Sequence, residues 1–583
     1  MDSLALRLRP SAPIAHVRSL DRAHHVQACV PSVLSALAIL VVLAGCGDPG
    51  MGDDPVNLDT PSVASALQAI DAETIEHHIR VLADDSLAGR APGTDGFAGA
   101  ARYVEERVRE MGLQPAGESG SYRQAVPLRR SSVVEGESRM TVQTPSGERT
   151  LAYDVDYYLS ADPVRGQVEV DTAPVVFVGF GVSAPDLMYD DYTDIDVAGK
   201  IVMVLSGAPA AFPSNERAYY SSGATKQAEA LARGAIGLLT FWAPDDPRLR
   251  WDVNAARAKR GSFAWLDESG TPNRAEEDLR ASASLNHGAV EALFEGAAVP
   301  VDSVVSRAAR SLPQSLDLAS SVSVRTVSEH EDVASWNVVA RLEGSDPVLR
   351  DEHVTYVAHI DHFGIGVTVD GDSIYNGAHD NASGASIVLE IADAYTSLPQ
   401  APDRSILFLF VTAEEWGLLG ADYFVHSPTV PRPSIVANFS LDMPFLFHPL
   451  LDIVPYGAEH SSMGRSVAQA AEYMGLDIGP DPIPEQVLFI RSDHFAFIRQ
   501  GVPALFIKSG FETGDERDGG AINTDFRKNR YHTPFDETEQ GFDYEAGADH
   551  ARINFLTGYL IAETPQRPTW NEGDFFGGLF GSG

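Results

Sequence analysis

The chain has 583 residues, 44% of them hydrophobic and 21% charged, which is typical of a globular protein with two or three domains. Its formal charge of −39 is unusually acidic. Because acidic surfaces repel phosphates, the charge excludes nucleic acid as an expected partner. It indicates a solvated acidic surface, with selection of cationic substrates as the alternative.

Residues 1–46 are predicted to be an export signal. An arginine-containing start precedes an apolar run of about 13 residues, 30–42, which is shorter than a membrane span. The run ends in LAGC at 43–46, which resembles a bacterial lipobox. We therefore expect a lipid anchor on Cys46 as the only membrane contact, and a place in the bacterial cell envelope. A plain secretory signal with a chance cysteine is the alternative.

Two helices are predicted after a polar Gly/Pro/Asp tether at residues 47–62. Apolar residues at helical spacing predict the first helix over 64–83 and the second over 97–111. Arg90 lies between them in the stretch LAGRAPGT. We expect a structural role for Arg90, and substrate binding is the alternative.

Residues 154–329 change in character, with short apolar strands around a helix predicted at 226–233. Nothing in this stretch looks like a set of metal ligands. It does contain a group of basic residues, called here the basic patch, which we expect to be a solvated loop; contact with a substrate carboxylate is the alternative. The basic patch consists of Arg248, Arg250, Arg257, Lys259 and Arg260.

From residue 330 onward apolar strands alternate with helical patterns, which predicts an α/β layer fold. Three strands, at 354–357, 405–412 and 435–441, each lead into imidazole or carboxylate side chains. Ligands bind at that end of the strands in open α/β sheets. The side chains in question are His359, Asp361, His362, Asp380, Glu414, Glu415 and Asp442, with His532 farther along. Helices are predicted near 383–397, 418–427, 462–475, 493–500 and 543–561.

Several stretches in one order resemble a known family, the co-catalytic di-zinc aminopeptidases related to bacterial leucyl aminopeptidase and glutamate carboxypeptidase. The stretches are HID, GAHDNASG, AEEWGLLGADYF, LDM, RSDHFAF, GVPALF and YHTPFD. The resemblance covers roughly residues 337–563, together with LAGRAPGT. It implies a three-layer αβα sandwich around a mixed, mostly parallel sheet.

The resemblance also implies the domain organisation. Residues 63–153 would be the first part of the zinc peptidase domain and residues 330–565 its main part. Residues 154–329 resemble an inserted, β-rich protease-associated domain. The Gly/Phe-rich tail, 566–583, is either disordered or a contact segment, and the sequence leaves that choice open.

Two Zn²⁺ ions are the cofactors that the resemblance implies. Asp380 would bridge them, and the peptide bond after it would be cis. His359 and Asp442 would complete one zinc site, and Glu415 and His532 the other. Catalytic zinc sites use such nitrogen and oxygen ligands and keep one position open.

Two acidic residues beside these ligands receive catalytic roles by the same resemblance. Glu414 would be the general base that moves a proton from the attacking water to the leaving amine. Asp361 would accept the second ring proton of His359. The remaining nearby residues are expected to support loops or ligands rather than to bind metal: His362, His379, His494 and Asp493.

The expected function is a zinc exopeptidase, most simply an aminopeptidase that prefers an apolar or uncharged first residue in a peptide substrate. A carboxypeptidase is the alternative, because Arg491 is placed to bind a substrate carboxylate. Met443, Tyr531 and the loop 511–529 are the other pocket candidates. A glutaminyl-cyclase-like enzyme and a non-catalytic binding protein are further alternatives, although the complete ligand set argues against both.

Overall fold

The structure is a computed structural model that describes residues 56–274, 276, 278–310 and 315–581. The predicted export signal and most of the tether lie outside the described residues. Within the described residues, no helix is both long enough and apolar enough to span a membrane.

The first part of the described chain contains strands β1 (Gln114–Pro115), β2 (Arg123–Val133), β3 (Arg139–Thr144), β4 (Gly147–Thr150), β5 (Tyr157–Leu159), β6 (Gln167–Val178), β7 (Ser183–Ala184), β8 (Tyr189–Asp190), β9 (Ile201–Leu205), β10 (Gly237–Phe241), β11 (Ser262–Trp265) and β12 (Ala281–Leu285). Its helices are α1 (Pro61–Ala69), α2 (Ala72–Leu82), α3 (Asp95–Glu110), α4 (Ser214–Ser221), α5 (Gly223–Ala232), α6 (Trp251–Lys259), α7 (His287–Leu293) and α8 (Val301–Ala308).

The second part contains strands β13 (Ser315–Leu342), β14 (His353–His359), β15 (Gly364–Val369), β16 (Asp372–Tyr375), β17 (Ser405–Val411), β18 (Ile435–Ser440), β19 (Asp452–Tyr456), β20 (Asp477–Ile478) and β21 (Ala504–Ser509). Its helices are α9 (Ser383–Thr396), α10 (Leu419–His426), α11 (Met463–Met474), α12 (His494–Ile498), α13 (Gly519–Asn529), α14 (Tyr544–Glu563) and α15 (Phe575–Phe580).

The part of the chain that carries the predicted ligands, called here the catalytic part after that prediction, is built on a mixed sheet in the order β11-β2-β13-β17-β14-β18-β21-β19-β20. Its centre, from β17 to β21, is parallel, and antiparallel strands flank it. Alternate residues of a strand point to opposite faces of a sheet. In β14, Tyr356 faces the core made by α1, α2, α3, α9, α11 and α14, whereas Val357 faces the core made by α10 and α12. The predicted three-layer α/β fold is therefore confirmed.

A second sheet forms the insert, in the order β4-β3-β13-β6-β9-β10-β12-β5. The long strand β13 joins the two sheets. Its first half pairs with β6, and its second half pairs with β2 and β17. The insert has its own apolar core, around residues such as Phe177, Met203 and Leu239. Strands β3 and β4 belong to this sheet, so it draws on residues on both sides of position 154.

The prediction of one helix over 64–83 was wrong, because α1 ends at Ala69 and α2 begins at Ala72. Asp71 causes the break. Its side chain accepts the backbone N–H of Thr74 at 2.8 Å, which caps the start of α2. Its own backbone N–H donates to Glu390 of α9. Apolar spacing continues through the break, since both helices pack on the same core.

Candidate metal centre

Three neighbouring parallel strands bring most of the predicted ligands to one edge of the catalytic sheet. His359 is the last residue of β14, Glu415 follows β17, and Asp442 follows β18. Asp380 lies in the turn Ala378–Ala382, just before α9. His532 arrives from the loop after α13. The structure thus brings the five predicted ligands together.

The first group of donors consists of His359, Asp380 and Asp442. The Nε2 atom of His359 lies 3.4 Å from Oδ1 of Asp380 and 3.6 Å from Oδ1 of Asp442. All three side chains are buried. Ligand atoms about 2.0–2.2 Å from a shared zinc ion are separated by about 3.3 Å in tetrahedral geometry, so the group fits one ion.

The second group uses the other carboxylate oxygen of Asp380. The Nε2 atom of His532 lies 3.1 Å from Oδ2 of Asp380 and 3.3 Å from Oε2 of Glu415. Asp380 therefore offers one oxygen to each group, as a bridging ligand must. The peptide bond between Asp380 and Asn381 is cis, as expected.

The chemistry of the donors also fits bound cations. The Nε2 atoms of His359 and His532 and the Oδ1 atom of Asp442 are buried, and none has a hydrogen-bond partner within the described part of the chain. Buried polar atoms normally have partners. Imidazole nitrogen and carboxylate oxygen are zinc ligands, so the two groups fit two Zn²⁺ ions that share Asp380.

His362 is closer to the centre than a loop histidine need be. Its Nδ1 atom lies 2.6 Å from Oε1 of Glu415, the oxygen that does not face His532. His362, Asp380 and Glu415 also form a group able to hold a metal ion. His362 thus either orients Glu415 or adds a donor beside it. The only signal in the sequence was its place three residues after His359.

Asp536 holds the loop that carries Asp380, and no role had been predicted for it. Its carboxylate accepts the backbone N–H groups of His379 and Asp380, each at 2.9 Å. Asp536 is fully buried. It belongs to the YHTPFD stretch, so the loop with His532 also fixes the bridging aspartate.

The Arg90 side chain holds the neighbouring loops in place through hydrogen bonds. Its guanidinium donates to the backbone oxygens of Leu82, Ile360, Asn376 and Gly377, and the residue is 1% exposed. These contacts agree with the expected structural role, because buried backbone oxygens occupy its donors.

Glu414 lies beside both groups and lines the cavity above them. Its Oε2 atom is 3.7 Å from Nε2 of His359. Burial raises the pKa of Glu414 well above its usual range, and repulsion by Asp442 and Glu415 adds to this, while His359 opposes it. Nearby divalent cations would favour the ionised form.

Asp361 touches both His359 and Glu414. Its Oδ1 atom accepts the backbone N–H of Glu414 at 3.1 Å and lies 3.8 Å from Nδ1 of His359. The same Nδ1 atom lies 3.3 Å from the backbone oxygen of Asp361. The acceptor within hydrogen-bond distance of that ring nitrogen is therefore the backbone oxygen of Asp361 and not the carboxylate that had been predicted. Asp493 is fully buried close by, where burial raises its pKa to about 8.

A cavity of about 600 Å³ opens over the metal centre. The catalytic part contributes Met443, Ile490, Arg491 and Tyr531 to its wall. The insert contributes the opposite side. Its lining residues are Tyr158, Trp242, Asn254, Arg257, Ala258 and Gly261, and Ser262 follows at the start of β11. Two distant parts of the sequence thus share one cavity.

The prediction of a solvated loop for the basic patch was wrong for Arg250 and Arg257, whereas Lys259 is exposed as expected. Arg257 of α6 donates to the backbone oxygen of Glu415, and its guanidinium lies 4.7 Å from the ring centre of Phe363. Arg250 donates to the backbone oxygen of Tyr531 at 3.3 Å. These arginines fasten the insert to the loops that carry the metal ligands, because α6 packs directly against them.

Residues 337–557 match the sequence model of "Peptidase family M28". This match covers less than half of the chain, so the similarity to peptidase family M28 extends over residues 337–557.

The curated relatives include "Probable leucine aminopeptidase 2" from Arthroderma benhamiae, 28% identical over 198 residues, which are 33% of this chain and 37% of that protein. "Probable leucine aminopeptidase 2" from Aspergillus oryzae is 31% identical over 202 residues, again 33% and 37%. The match thus spans little more than a third of the length of these relatives. A solved aminopeptidase from Aneurinibacillus sp. strain AM-1 is 19% identical and has a TM-score of 0.49, covering 87% of this chain and 99% of its own.

Proposed function

We propose that the protein is a zinc-dependent exopeptidase that removes the first residue of peptides, an aminopeptidase. One observation carries the proposal: two groups of metal donors share Asp380, and the carboxyl group of Glu414 lies beside them. The leucine aminopeptidase names of the fungal relatives support the same activity.

The residues divide the reaction between them. Two zinc ions held there would polarise the scissile carbonyl and make water a better nucleophile at neutral pH. Glu414 takes the proton of the attacking water and passes it to the leaving amine. His359 keeps its Nε2 atom free for the metal because its Nδ1 atom faces Asp361.

An apolar first residue of the substrate fits the part of the cavity wall that apolar side chains form. Met443, Leu418 and Ile490 line it close to Asp442 and Glu414. The substrate's free amine carries a positive charge, and the carboxylates of the centre attract it. We therefore expect preference for unblocked peptides with an apolar or uncharged first side chain.

A carboxypeptidase is the second candidate, because Arg491 lies in the cavity wall with two further basic residues near it. Arg491 lines the cavity and donates to the hydroxyl of Tyr531 at 2.7 Å. Lys508 donates to the backbone oxygens of Asp442 and Met443. Arg527 lies 5.8 Å from the ring centre of Tyr531. Of the three, only Arg491 lines the cavity, and its donors meet uncharged groups, so its charge remains able to attract a substrate carboxylate. Burial lowers the pKa of Lys508 to about 7, which weakens its contribution.

A peptide panel separates the two candidates. Zinc-loaded enzyme is given peptides with free, N-acetylated or C-amidated ends, with and without chelator. The aminopeptidase releases the first residue of free and C-amidated peptides and loses this activity with chelator. Release of the last residue from N-acetylated peptides would replace it with the carboxypeptidase, and activity that survives chelation would exclude both.

We further propose export and lipid anchoring through Cys46, supported by the LAGC stretch after an apolar run. Cys46→Ser should abolish incorporation of labelled fatty acid and release the protein from membranes. Fatty-acid labelling that persists in Cys46→Ser, or wild-type protein that stays unprocessed in the cytoplasm, would contradict the anchor.

A further inference from the structure

Residues 569–580, called here the Phe576 clamp, pack where the insert meets the catalytic part. Phe576 in helix α15 is fully buried. Trp570 donates its indole N–H to the backbone oxygen of Gly501 at 2.9 Å. Of the two readings left open for the tail, the described residues 569–580 therefore form a contact segment.

One imidazole joins the clamp to the insert. Nδ1 of His460 lies 2.6 Å from Oδ2 of Asp574, and Nε2 lies 2.9 Å from Nδ2 of Asn215 in α4. The same Nδ2 atom donates to Glu459 at 2.7 Å, which identifies it as the amide nitrogen. His460 consequently accepts at Nε2 and donates from Nδ1 to Asp574.

Aromatic rings reinforce this junction. The ring centre of Tyr219 in α4 lies 5.7 Å from that of Phe575, 6.1 Å from that of Phe576 and 6.2 Å from that of Phe580. Ring pairs at such distances stabilise packing beyond the area they bury. The clamp thus holds α4 by polar and aromatic contacts together.

The clamp also packs against residues directly behind the cavity wall. Phe576 lies 4.9 Å from Phe489, ring centre to ring centre, and Phe489 is 1% exposed. The next two residues, Ile490 and Arg491, line the cavity. Arg491 in turn donates to Tyr531, whose ring stacks 3.6 Å from that of His532. A short chain of packed side chains therefore links the clamp to the substrate side of the centre.

We propose that the Phe576 clamp positions the substrate cavity. It fixes the wall formed by Ile490 and Arg491 and holds the insert against it, and so sets how tightly a peptide binds. None of the clamp's residues, all of which the structure describes, lines the cavity. The clamp therefore acts through other residues and takes no part in proton transfer. This inference rests on the proposed peptidase function.

Phe576→Ala is the first test, with Leu579→Ala as its control, because Leu579 lies on the same helix and is 45% exposed. We expect KM to rise roughly ten-fold in Phe576→Ala while kcat stays within about two-fold, since substrate placement is lost and the chemistry is not. Zinc content should match the wild type. Leu579→Ala should leave both constants unchanged.

Asp574 supplies a milder second test. Asp574→Ala removes the hydrogen-bond acceptor of His460 and should also raise KM. Asp574→Asn keeps an oxygen that can accept this bond, so its KM should be close to that of the wild type. Hydrogen–deuterium exchange of residues 214–221 and 487–491 is measured alongside, because it needs no substrate. Exchange should increase in Phe576→Ala and Asp574→Ala only.

An unchanged KM in folded, zinc-loaded Phe576→Ala would overturn the proposal, as would a fall in kcat at constant KM. Unchanged exchange in both clamp variants would overturn it as well. If the wild-type enzyme cleaves no peptide, the proposed function is wrong. The exchange measurement then still decides whether the clamp holds the wall.

Discussion

Two adjacent glutamates follow β17 and face different partners. Oε2 of Glu415 lies 3.3 Å from Nε2 of His532, in the second donor group. Glu414 instead lies 3.7 Å from Nε2 of His359 and lines the cavity. Successive residues at a strand end project in different directions, so one can bind metal while the other moves protons.

Replacing Glu414 by Gln should keep both metal ions and lower kcat by roughly 10²–10⁴-fold, the usual contribution of a general base. The shape of the side chain is retained, so folding should not suffer. The measurement pairs steady-state kinetics with metal analysis. Glu415→Gln is the matched variant and should lose metal; loss of metal from Glu414→Gln instead would reverse the two roles.

Glu390 makes stability depend on pH far from the metal centre. Burial raises the pKa of Glu390 from its ordinary value of 4.5 to about 7. Between these values the folded chain binds a proton that the unfolded chain does not. The free energy of unfolding should therefore fall as pH rises through this window, by about 1.4 kcal/mol per pH unit at most, and then level off.

Glu390→Gln should remove this dependence and stabilise the protein above pH 7, since an amide keeps an oxygen for the backbone N–H of Asp71. Urea unfolding at pH 5, 6, 7 and 8 measures it. Glu106→Gln, at an exposed position of α3, is the control and should follow the wild type. Parallel curves for Glu390→Gln and wild type would refute the assignment.

The apolar pattern located the strands that His359, Glu415 and Asp442 follow, and the family resemblance supplied the ligand roles of these residues and of Asp380 and His532. The contacts of Asp536 and His362 were not predictable, since they run between loops. Asp536 reaches the backbone of residues 379 and 380 across more than 150 positions of sequence. A local sequence pattern does not show which two loops will be in contact in the folded protein.

At the scale of elements, the start of α9 is packed against the loop after β18. A Cβ atom on Gly384 would lie 2.2 Å from the backbone oxygen of Leu441 and 2.3 Å from Oδ1 of Asn381. Asn381 itself bonds Leu441 and Met443, on either side of Asp442. The helix therefore needs glycine there to keep the bridging turn and Asp442 in register.

Gly384→Ala should consequently destabilise the protein by about 1–3 kcal/mol and weaken metal binding at the His359–Asp442 position. In an open helix the same change would stabilise by about 0.5–1 kcal/mol. Gly547→Ala in α14 is the control, because its Cβ would meet Ile75 at an ordinary 3.4 Å. Chemical denaturation and competition with a chelator measure the two effects; equal behaviour of both variants would disprove the close contact.

Elements in the catalytic part were predicted to within a few residues. The observed α9, α11 and α14 begin and end close to the predicted 383–397, 462–475 and 543–561. Strong apolar periodicity produced that accuracy. Apolar periodicity did not reveal the division of residues 64–83 into α1 and α2, because a capping aspartate interrupts the helix without interrupting the apolar stripe.

At the scale of the whole molecule, the cavity depends on parts that are far apart in the sequence. The insert supplies one wall through α6, and the Phe576 clamp braces both sides. The sequence predicted an insert over residues 154–329, whereas the second sheet also uses β3 and β4, and no sequence pattern indicated how this sheet is oriented. The position of the insert is set by contacts between arginine side chains and backbone oxygens such as that of Glu415. Sequence patterns do not predict such contacts.

The metal centre also concentrates buried negative charge in an already acidic molecule. Asp380, Glu414, Glu415 and Asp442 are each less than 10% exposed and lie around the same two histidines. Buried carboxylates so close together repel one another unless cations neutralise them. Two divalent ions should therefore stabilise the folded chain as a whole, because the unfolded chain offers no such site.

Removing metal should lower the melting temperature, and adding Zn²⁺ should restore it with two ions bound per chain. Binding to the native state alone contributes about 2.7 kcal/mol when free zinc is 100 times its Kd. Differential scanning fluorimetry with chelator and with zinc measures the shift, and metal analysis counts the ions. Asp380→Asn is the matched variant, since it changes the one residue common to both groups. Zinc should raise the melting temperature of this variant less than that of the wild type. A melting temperature indifferent to chelator, or one ion per chain at saturation, would contradict a shared binuclear centre.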